Sequence, residues 1–234
     1  MKILYWNIRG IANLDSKLEL SNICRSHKPD FLCISEPMVQ FDVISAIFWS
    51  SLNMQLVAVN NKPNMPSIWL FCSKDISPPC IISSTVQQIT LSFSMDHCNC
   101  AISFVYASTS YIKRRDLWKE IRAINSSISD AWMLIGDFNA VLGAHEKNGG
   151  CPPPRIYCSE FQDMSDNCNL IHLNTIGSYY TWSNGWRSRG RIELRLDRSM
   201  CNSTWLDSWP VSNCSTLPRA VSDHNPLIFS AQKN

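Results

Sequence analysis

The chain has 234 residues, 45% of them hydrophobic and 17% charged, and a formal net charge of +2. That apolar fraction supports a substantial core and excludes disorder as the main state, because disordered chains are apolar-poor and charge-rich. A net charge this small neither announces nucleic-acid binding nor excludes it. The 11 cysteines are scattered, odd in number and free of any CxxC pair, so a disulfide framework is not expected. They read as reduced, mostly buried thiols in a reducing, intracellular compartment. The tightest cluster, His97-Cys98-Asn99-Cys100, is spaced too closely for an ordinary tetrahedral zinc site. No apolar run approaches the ~20 residues that cross a bilayer, so no membrane partner is expected.

Taken along the chain, strand-like apolar runs recur with a polar residue just beyond each. Ile3–Trp6 is followed by Asn7, Phe31–Ile34 by Glu36, and Trp132–Ile135 by Gly136 and Asp137; Leu194 and Leu196 alternate with Arg195 before Asp197. A helix is predicted over Leu14 to Cys24, stopping before Lys28-Pro29. A second covers Arg114 to Ile128, with Leu117, Ile121, Ile124 and Ile128 on one face. A third starts at Ser159 with a Ser159/Gln162 capping box and buries Phe161, Met164 and Cys168. No repeat or linker divides the chain, which predicts one α/β domain over 1–234. Periodicity does not tell parallel from antiparallel sheets.

Strand ends are where a sheet scaffold presents reactive side chains. Here they offer Asn7, Glu36, Asp137, Asn139, Asp197, Asp223 and His224. Phosphodiester hydrolysis needs a hard cation, an activated water and stabilisation of the phosphoryl and leaving oxygens. Carboxylate and amide oxygens suit Mg²⁺, and a histidine beside an acid supplies a group that titrates near neutrality. Each residue alone has an ordinary reading as well. Asn7 could close a sheet end, Glu36 could open a loop before Pro37, Asp137-Phe138-Asn139 could be an Asx turn, and Asp223 could be a cap. The functional reading rests on the ordered set.

Trp6-Asn7-Ile8-Arg9-Gly10, Ser35-Glu36, Val105-Tyr106, Gly136-Asp137-Phe138-Asn139 and Ser222-Asp223-His224 resemble, in order, the motifs of the endonuclease/exonuclease/phosphatase superfamily. Within it the chain is similar to the endonuclease domain of plant LINE-type (non-LTR) retroelements. Glu146-Lys147-Asn148-Gly149-Gly150, Tyr180 to Gly185, Arg195-Leu196-Asp197-Arg198 and Trp205-Leu206 add to that likeness, which covers residues 1–230. The resemblance implies a four-layer αββα sandwich, two packed mixed β-sheets flanked by helices, with the site at one rim.

By motif it implies that Glu36 is the main Mg²⁺ ligand (Mn²⁺ being an alternative ion), with Asn7 beside it and Asp223 completing the metal shell. Asp137 would activate the attacking water and Asn139 would hold it. His224 would bond a phosphoryl oxygen, oriented by Asp197, and Tyr106 would touch the scissile phosphate. Thr181 would contact the DNA backbone or stand behind the site. Arg187, Arg189, Arg191, Arg195 and Arg198, beside Trp182 and Trp186, suggest a basic hairpin on DNA phosphates; the alternative is a solvated face balanced by Glu193 and Asp197. The chain departs from the pattern at Arg9, where many members carry an acid though the plant branch commonly has Arg. It also departs at Asn64–Trp69, which lacks a Gly-Gly, and at Cys151, which replaces an Arg.

The activity implied is a monomeric, Mg²⁺-dependent endonuclease that nicks DNA and leaves 3′-hydroxyl and 5′-phosphate ends. In the parent element that hydroxyl primes reverse transcription in the nucleus; the reverse transcriptase domain is not part of this chain. Two rivals are a same-fold phosphoesterase on inositol phosphates or sphingolipid headgroups and a remnant that no longer catalyses. Arg195-Leu196-Asp197-Arg198-Ser199 stands where an inositol phosphatase should show Pro-x-Trp-Cys-Asp-Arg.

Overall fold

Alternation along the first strand sorts the layers. In β1 (Lys2–Asn7), Ile3 and Tyr5 face one way, Leu4 and Trp6 the other, and all four have no exposed surface. A strand apolar on both faces must be covered on both. The structure, a computed structural model, describes residues 1–60, 65–186 and 190–233.

In chain order β1 is followed by α1 (Leu14–His27), β2 (Phe31–Ser35), α2 (Ala46–Ser51), β3 (Met54–Val59), β4 (Ile68–Ser73), β5 (Cys80–Ser84) and β6 (Gln88–Met95). Next come β7 (Cys98–Tyr106), α3 (Tyr111–Ser127), β8 (Ala131–Asp137), β9 (Lys147–Asn148), α4 (Arg155–Asn167), β10 (Ile171–His172) and β11 (Thr175–Ile176). The chain finishes with β12 (Trp182–Ser183), β13 (Glu193–Leu194), β14 (Asp197–Cys201), α5 (Ser203–Ser208), β15 (Val211–Thr216) and β16 (Leu227–Gln232).

One seven-stranded sheet runs β11-β15-β16-β1-β2-β4-β3, and a six-stranded sheet runs β10-β14-β8-β7-β6-β5. Both are mixed: β1–β2 and β7–β8 are parallel, joined across α1 and α3 respectively. Between the sheets Ile3, Tyr5, Phe31 and Leu70 meet Ile102, Phe104, Met133 and Ile135. Leu4, Trp6 and Leu32 on the outer face of the first sheet pack on Leu20 and Ile23 of α1 and Trp49 of α2. Val105, Trp132 and Leu134 pack on Leu117, Trp118 and Ile121 of α3 and Phe161 of α4. The result is the expected αββα sandwich. A third, three-stranded sheet, β12-β13-β9, sits at the rim.

The helices differ from the sequence reading at their ends. Helix α1 continues to His27, because Pro29 restricts only the residue before it; Lys28 leaves the helical region there, in the left-handed conformation at φ 48°. Helix α3 begins at Tyr111, before the predicted Arg114. Helix α4 starts at Arg155, directly after the Pro152–Pro154 run, so Ser159 is not a cap. Its hydroxyl donates to Ile156 O within the helix (3.2 Å), and Gln162 reaches Asp166. The proline run fixes an earlier start than the capping box. All 11 cysteines are free thiols; Cys80 and Cys151 are exposed, Cys98 is half-buried and the rest are buried. Among the described residues no helix is long and apolar enough to cross a membrane.

Gly136 shows how closely the strands approach under the site. Its φ is +156°, and a Cβ there would lie 2.0 Å from Val105 O. That carbonyl also accepts the Tyr5 hydroxyl at 2.8 Å, which hinders it from moving aside. Gly136→Ala is therefore expected to cost about 1–3 kcal/mol of stability, read as a lowered urea midpoint.

Candidate active site

Because β1–β2 and β7–β8 are parallel pairs, their carboxyl ends share one rim of each sheet, where ligands of open α/β sheets bind. Asn7 closes β1, Tyr106 closes β7 and Asp137 closes β8, while Glu36 follows β2 in a left-handed conformation at φ 50°. Asn7 ties the sheets together: its Nδ2 donates to Glu36 Oε1 (3.1 Å) and Asp137 Oδ2 (3.1 Å) and lies 3.4 Å from His224 Nε2. Ser222 anchors the other side, donating to Asn7 O (2.7 Å) while its hydroxyl oxygen accepts from His224 N (3.1 Å).

Asp137 and Asn139 form both the Asx turn and the site. Asn139 N donates to Asp137 Oδ1 (2.8 Å), and its Nδ2 donates to Asp137 Oδ2 (3.2 Å) and Ala107 O (2.9 Å). His224 Nδ1 lies 2.8 Å from Asp197 Oδ2, which leaves Nε2 facing Asp137 Oδ2 at 3.8 Å. A carboxylate on Nδ1 fixes the ring's tautomer and orientation. Burial, reinforced by the charge of Asp197, holds the Asp137 carboxyl well above its usual range. Burial opposes the His224 imidazolium, but Asp197 and Asp137 outweigh it and raise its pKa. The two carboxylates thus favour the protonated imidazole of His224, while burial disfavours the charge on Asp137.

Tyr106 donates to Glu36 Oε1 at 2.7 Å, and burial together with Glu36 pushes its phenol pKa up, so it stays a donor. A groove of about 720 Å³ opens beside it, lined by Gln87, Ser108, Thr109 and Lys113. Asp223 stands outside the Asp137–Asp197–His224 cluster. Its Oδ2 accepts from the Arg9 guanidinium and from Trp182 Nε1 (2.9 Å).

Thr181 has no exposed surface, and its hydroxyl oxygen accepts from Leu196 N (3.0 Å) and Asp197 N (2.9 Å). Contact with a DNA backbone is closed to it; it fixes the start of the strand that carries Asp197. The arginine cluster also divides. Arg187 and Arg189 lie outside the described residues, and Arg191 is exposed and paired with Glu193 at 2.6 Å. Arg195 and Arg198 turn inward onto Glu146, with side chains 14% and 1% exposed, so Arg198 has no surface to offer a phosphate. Sequence reasoning passed over Tyr5 and Ser222 as site supports. Ser222, adjacent to Asp223 in the motif, carried a local signal; Tyr5 looked like any strand residue.

The donor set suits a hard divalent ion. Glu36 offers a carboxylate, and Asn7 Oδ1 is buried with no partner among the described residues; oxygen ligands of this kind favour Mg²⁺ or Mn²⁺ over softer metals. Asp137, Asp197 and His224 also bring ligand atoms within 4.8 Å of one another. Using all three on one ion would compete with the His224–Asp197 hydrogen bond.

The model of the endonuclease/exonuclease/phosphatase family matches residues 4–224. No curated protein sequence matches the chain. Among solved structures, the endonuclease domain of TRAS1, a telomere-specific non-LTR retrotransposon, is similar at TM-score 0.72 and 14% identity, covering 99% of this chain and 98% of that one. The 3′ phosphatase NExo from Neisseria, bound to product DNA hairpin, gives 0.71 and 17%, covering 100% of each chain. AP endonuclease LMAP from Leishmania major gives 0.73 and 14%, covering 97% of this chain and 86% of that one. At these identities the structural likeness speaks for the fold.

Proposed function

Because the chain belongs to the endonuclease/exonuclease/phosphatase family, whose members are hydrolytic nucleases and phosphoesterases, we propose that it is a Mg²⁺-dependent endonuclease nicking one strand of DNA. The observation that carries this reading is the continuous hydrogen-bonded set Tyr106–Glu36–Asn7–Asp137–Asn139, with His224–Asp197 facing it, at one rim of both sheets. The whole of 1–234 acts as one endonuclease unit and as a monomer.

Glu36 and the amide oxygen of Asn7 would hold the ion. When bound, it neutralises charge building on the phosphoryl group. The remaining work falls to the chain. In its ionised form Asp137, fixed by Asn139, accepts a proton from the water that attacks phosphorus. His224, held by Asp197, donates from Nε2 to a non-bridging phosphoryl oxygen, and the Tyr106 phenol donates to the same phosphate. The bond between phosphorus and the 3′ oxygen breaks; the 3′ oxygen leaves and takes up a proton, and the phosphate stays on the 5′ side. Fixed donors aimed at developing charge supply the largest stabilisation in reactions of this type.

Arg191, with Arg187 and Arg189 near it in sequence, would meet DNA phosphates, giving binding that weakens with salt. We read the chain as the endonuclease of a plant LINE-type element, acting in the nucleus and delivering a 3′-hydroxyl to the element's reverse transcriptase. Its sequence motifs and its likeness in fold to a retrotransposon endonuclease support this. Offering the purified protein supercoiled plasmid and, separately, inositol polyphosphates tests the substrate class. Relaxed circles whose ends a polymerase extends directly are expected, with no phosphate released from the inositol compounds. Phosphate release without nicking would sink the DNA reading. Chelation by EDTA is expected to stop nicking and readdition of Mg²⁺ to restore it, followed by gel densitometry.

A further inference from the structure

Two residues beyond Asn7, the chain places a cation where acids gather. Arg9 is left-handed at φ 51°. Its position is pinned by backbone bonds on either side: Ile8 N to Ser35 O (3.0 Å), Gly10 N to Glu36 O (2.9 Å) and Ile11 N to Pro37 O (3.0 Å). This segment runs beside the turn that carries Glu36 and lifts the Arg9 side chain over the rim. There its Nη1 contacts Asp223 Oδ2, and its Nε lies 3.9 Å from Glu36 Oε2. The guanidinium bridges the two rim carboxylates. Trp182 Nε1 donates to the same Asp223 oxygen at 2.9 Å, so that oxygen already has a charged and a neutral donor.

We propose that Arg9 serves as a built-in cation between Asp223 and Glu36, so that this chain takes a single divalent ion, at Glu36 and Asn7, and none at Asp223. The inference rests on the metal-dependent reading above. It departs from the expectation that Asp223 completes the metal shell. The remaining Asp223 oxygen, Oδ1, is buried and without a partner among the described residues. A second ion would have to bind there, within a carboxylate's width of a permanent positive charge. Arginine does not give up its proton in proteins, so deprotonation cannot relieve that repulsion. The arrangement also fits the chemistry of the rim. The guanidinium side chain is 53% exposed, so its outer edge is open to solvent at the rim. Planar guanidinium donors match phosphoryl oxygens, and here the charge stays fixed whatever the ion concentration.

The test is a titration of the full chain with Mn²⁺ at neutral pH, read by electron paramagnetic resonance of free Mn²⁺ and by calorimetry. Wild type is expected to bind one ion, and Glu36→Gln none. Arg9→Ala, which frees Asp223, is expected to bind two, the second more weakly, and Arg9→Lys to return to one. Circular dichroism of each variant confirms folding. Two ions on wild type, or one ion on a folded Arg9→Ala, would overturn the inference while leaving metal dependence in place. No ion on folded wild type would overturn both.

Discussion

Asp137→Asn is expected to lower the rate of strand nicking by roughly 10²–10⁴-fold, the usual worth of a positioned general base, without lowering the melting temperature. The two readouts separate because of where the carboxylate sits. Asp137 has no exposed surface, and burial with Asp197 nearby disfavours its charge. Removing a charge that the fold tolerates poorly relieves repulsion with Asp197, which offsets the one bond lost: the amide oxygen still accepts from Asn7 and Asn139 Nδ2, while its NH2 no longer accepts from Asn139 N. What the amide cannot do is take a proton from water. Sites of this kind trade stability for activity. Nicking within tenfold of wild type would remove Asp137 from the chemistry.

The second large effect lies behind the site, in a pair that touches no substrate. Arg198 is fully buried and forms two bonds to Glu146, from Nη1 to Oε1 (3.0 Å) and from Nη2 to Oε2 (2.6 Å). Its Nη2 also reaches Arg195 O at 2.8 Å, and its guanidinium lies over the Phe161 ring at 5.0 Å. Glu146→Ala leaves this charge buried and unpaired, which costs about 3–5 kcal/mol. The double variant Glu146→Met with Arg198→Leu should recover most of that loss, because it removes the orphaned charge as well. Urea denaturation of the three proteins measures the difference.

The pair also carries a pH signature. Burial alone would raise the Glu146 pKa, but the Arg198 bonds and charge, with Leu142 N and Arg195, outweigh it and bring it below its ordinary value. A carboxyl whose folded pKa lies below the unfolded one contributes stability that is fully present above the unfolded pKa, near about 4.3. That contribution is lost as pH falls through the depressed folded value. Wild type should therefore lose stability more steeply below about pH 4 than Glu146→Gln, whose side chain does not titrate there.

Much of the site was legible in the sequence because its residues sit at the ends of apolar runs. Asn7 and Asp137 close strands, so finding the strand finds the residue; Tyr106 also closes one but was legible only through the family motif. Asp197 and His224 were legible as types from the residues and as partners only through the family resemblance, since their 2.8 Å contact depends on how β14 and the segment before β16 meet across the rim. Arg198 was misread as a surface cation for a physical reason. Its partner Glu146 is far away in sequence, and only the return of β14 against β8 brings the two together. Thr181 was ambiguous between ligand contact and support; its burial decides for support. Sheet direction was hidden because a strand buried on both faces reads the same in parallel and antiparallel pairs. Arg9 showed as a departure from a motif, while its position between Glu36 and Asp223 needed the left-handed turn after β1.

The most direct test of the account compares wild type and His224→Ala on supercoiled plasmid in Mg²⁺, with an EDTA lane for each and a melting curve to confirm folding. His224→Ala removes one fixed donor to the phosphoryl group, so nicking should fall by roughly 10²–10³-fold. Wild-type nicking should vanish with EDTA. Metal-independent nicking, or a folded His224→Ala that nicks as fast as wild type, would contradict the assignment of this rim as the place where the phosphodiester is cut.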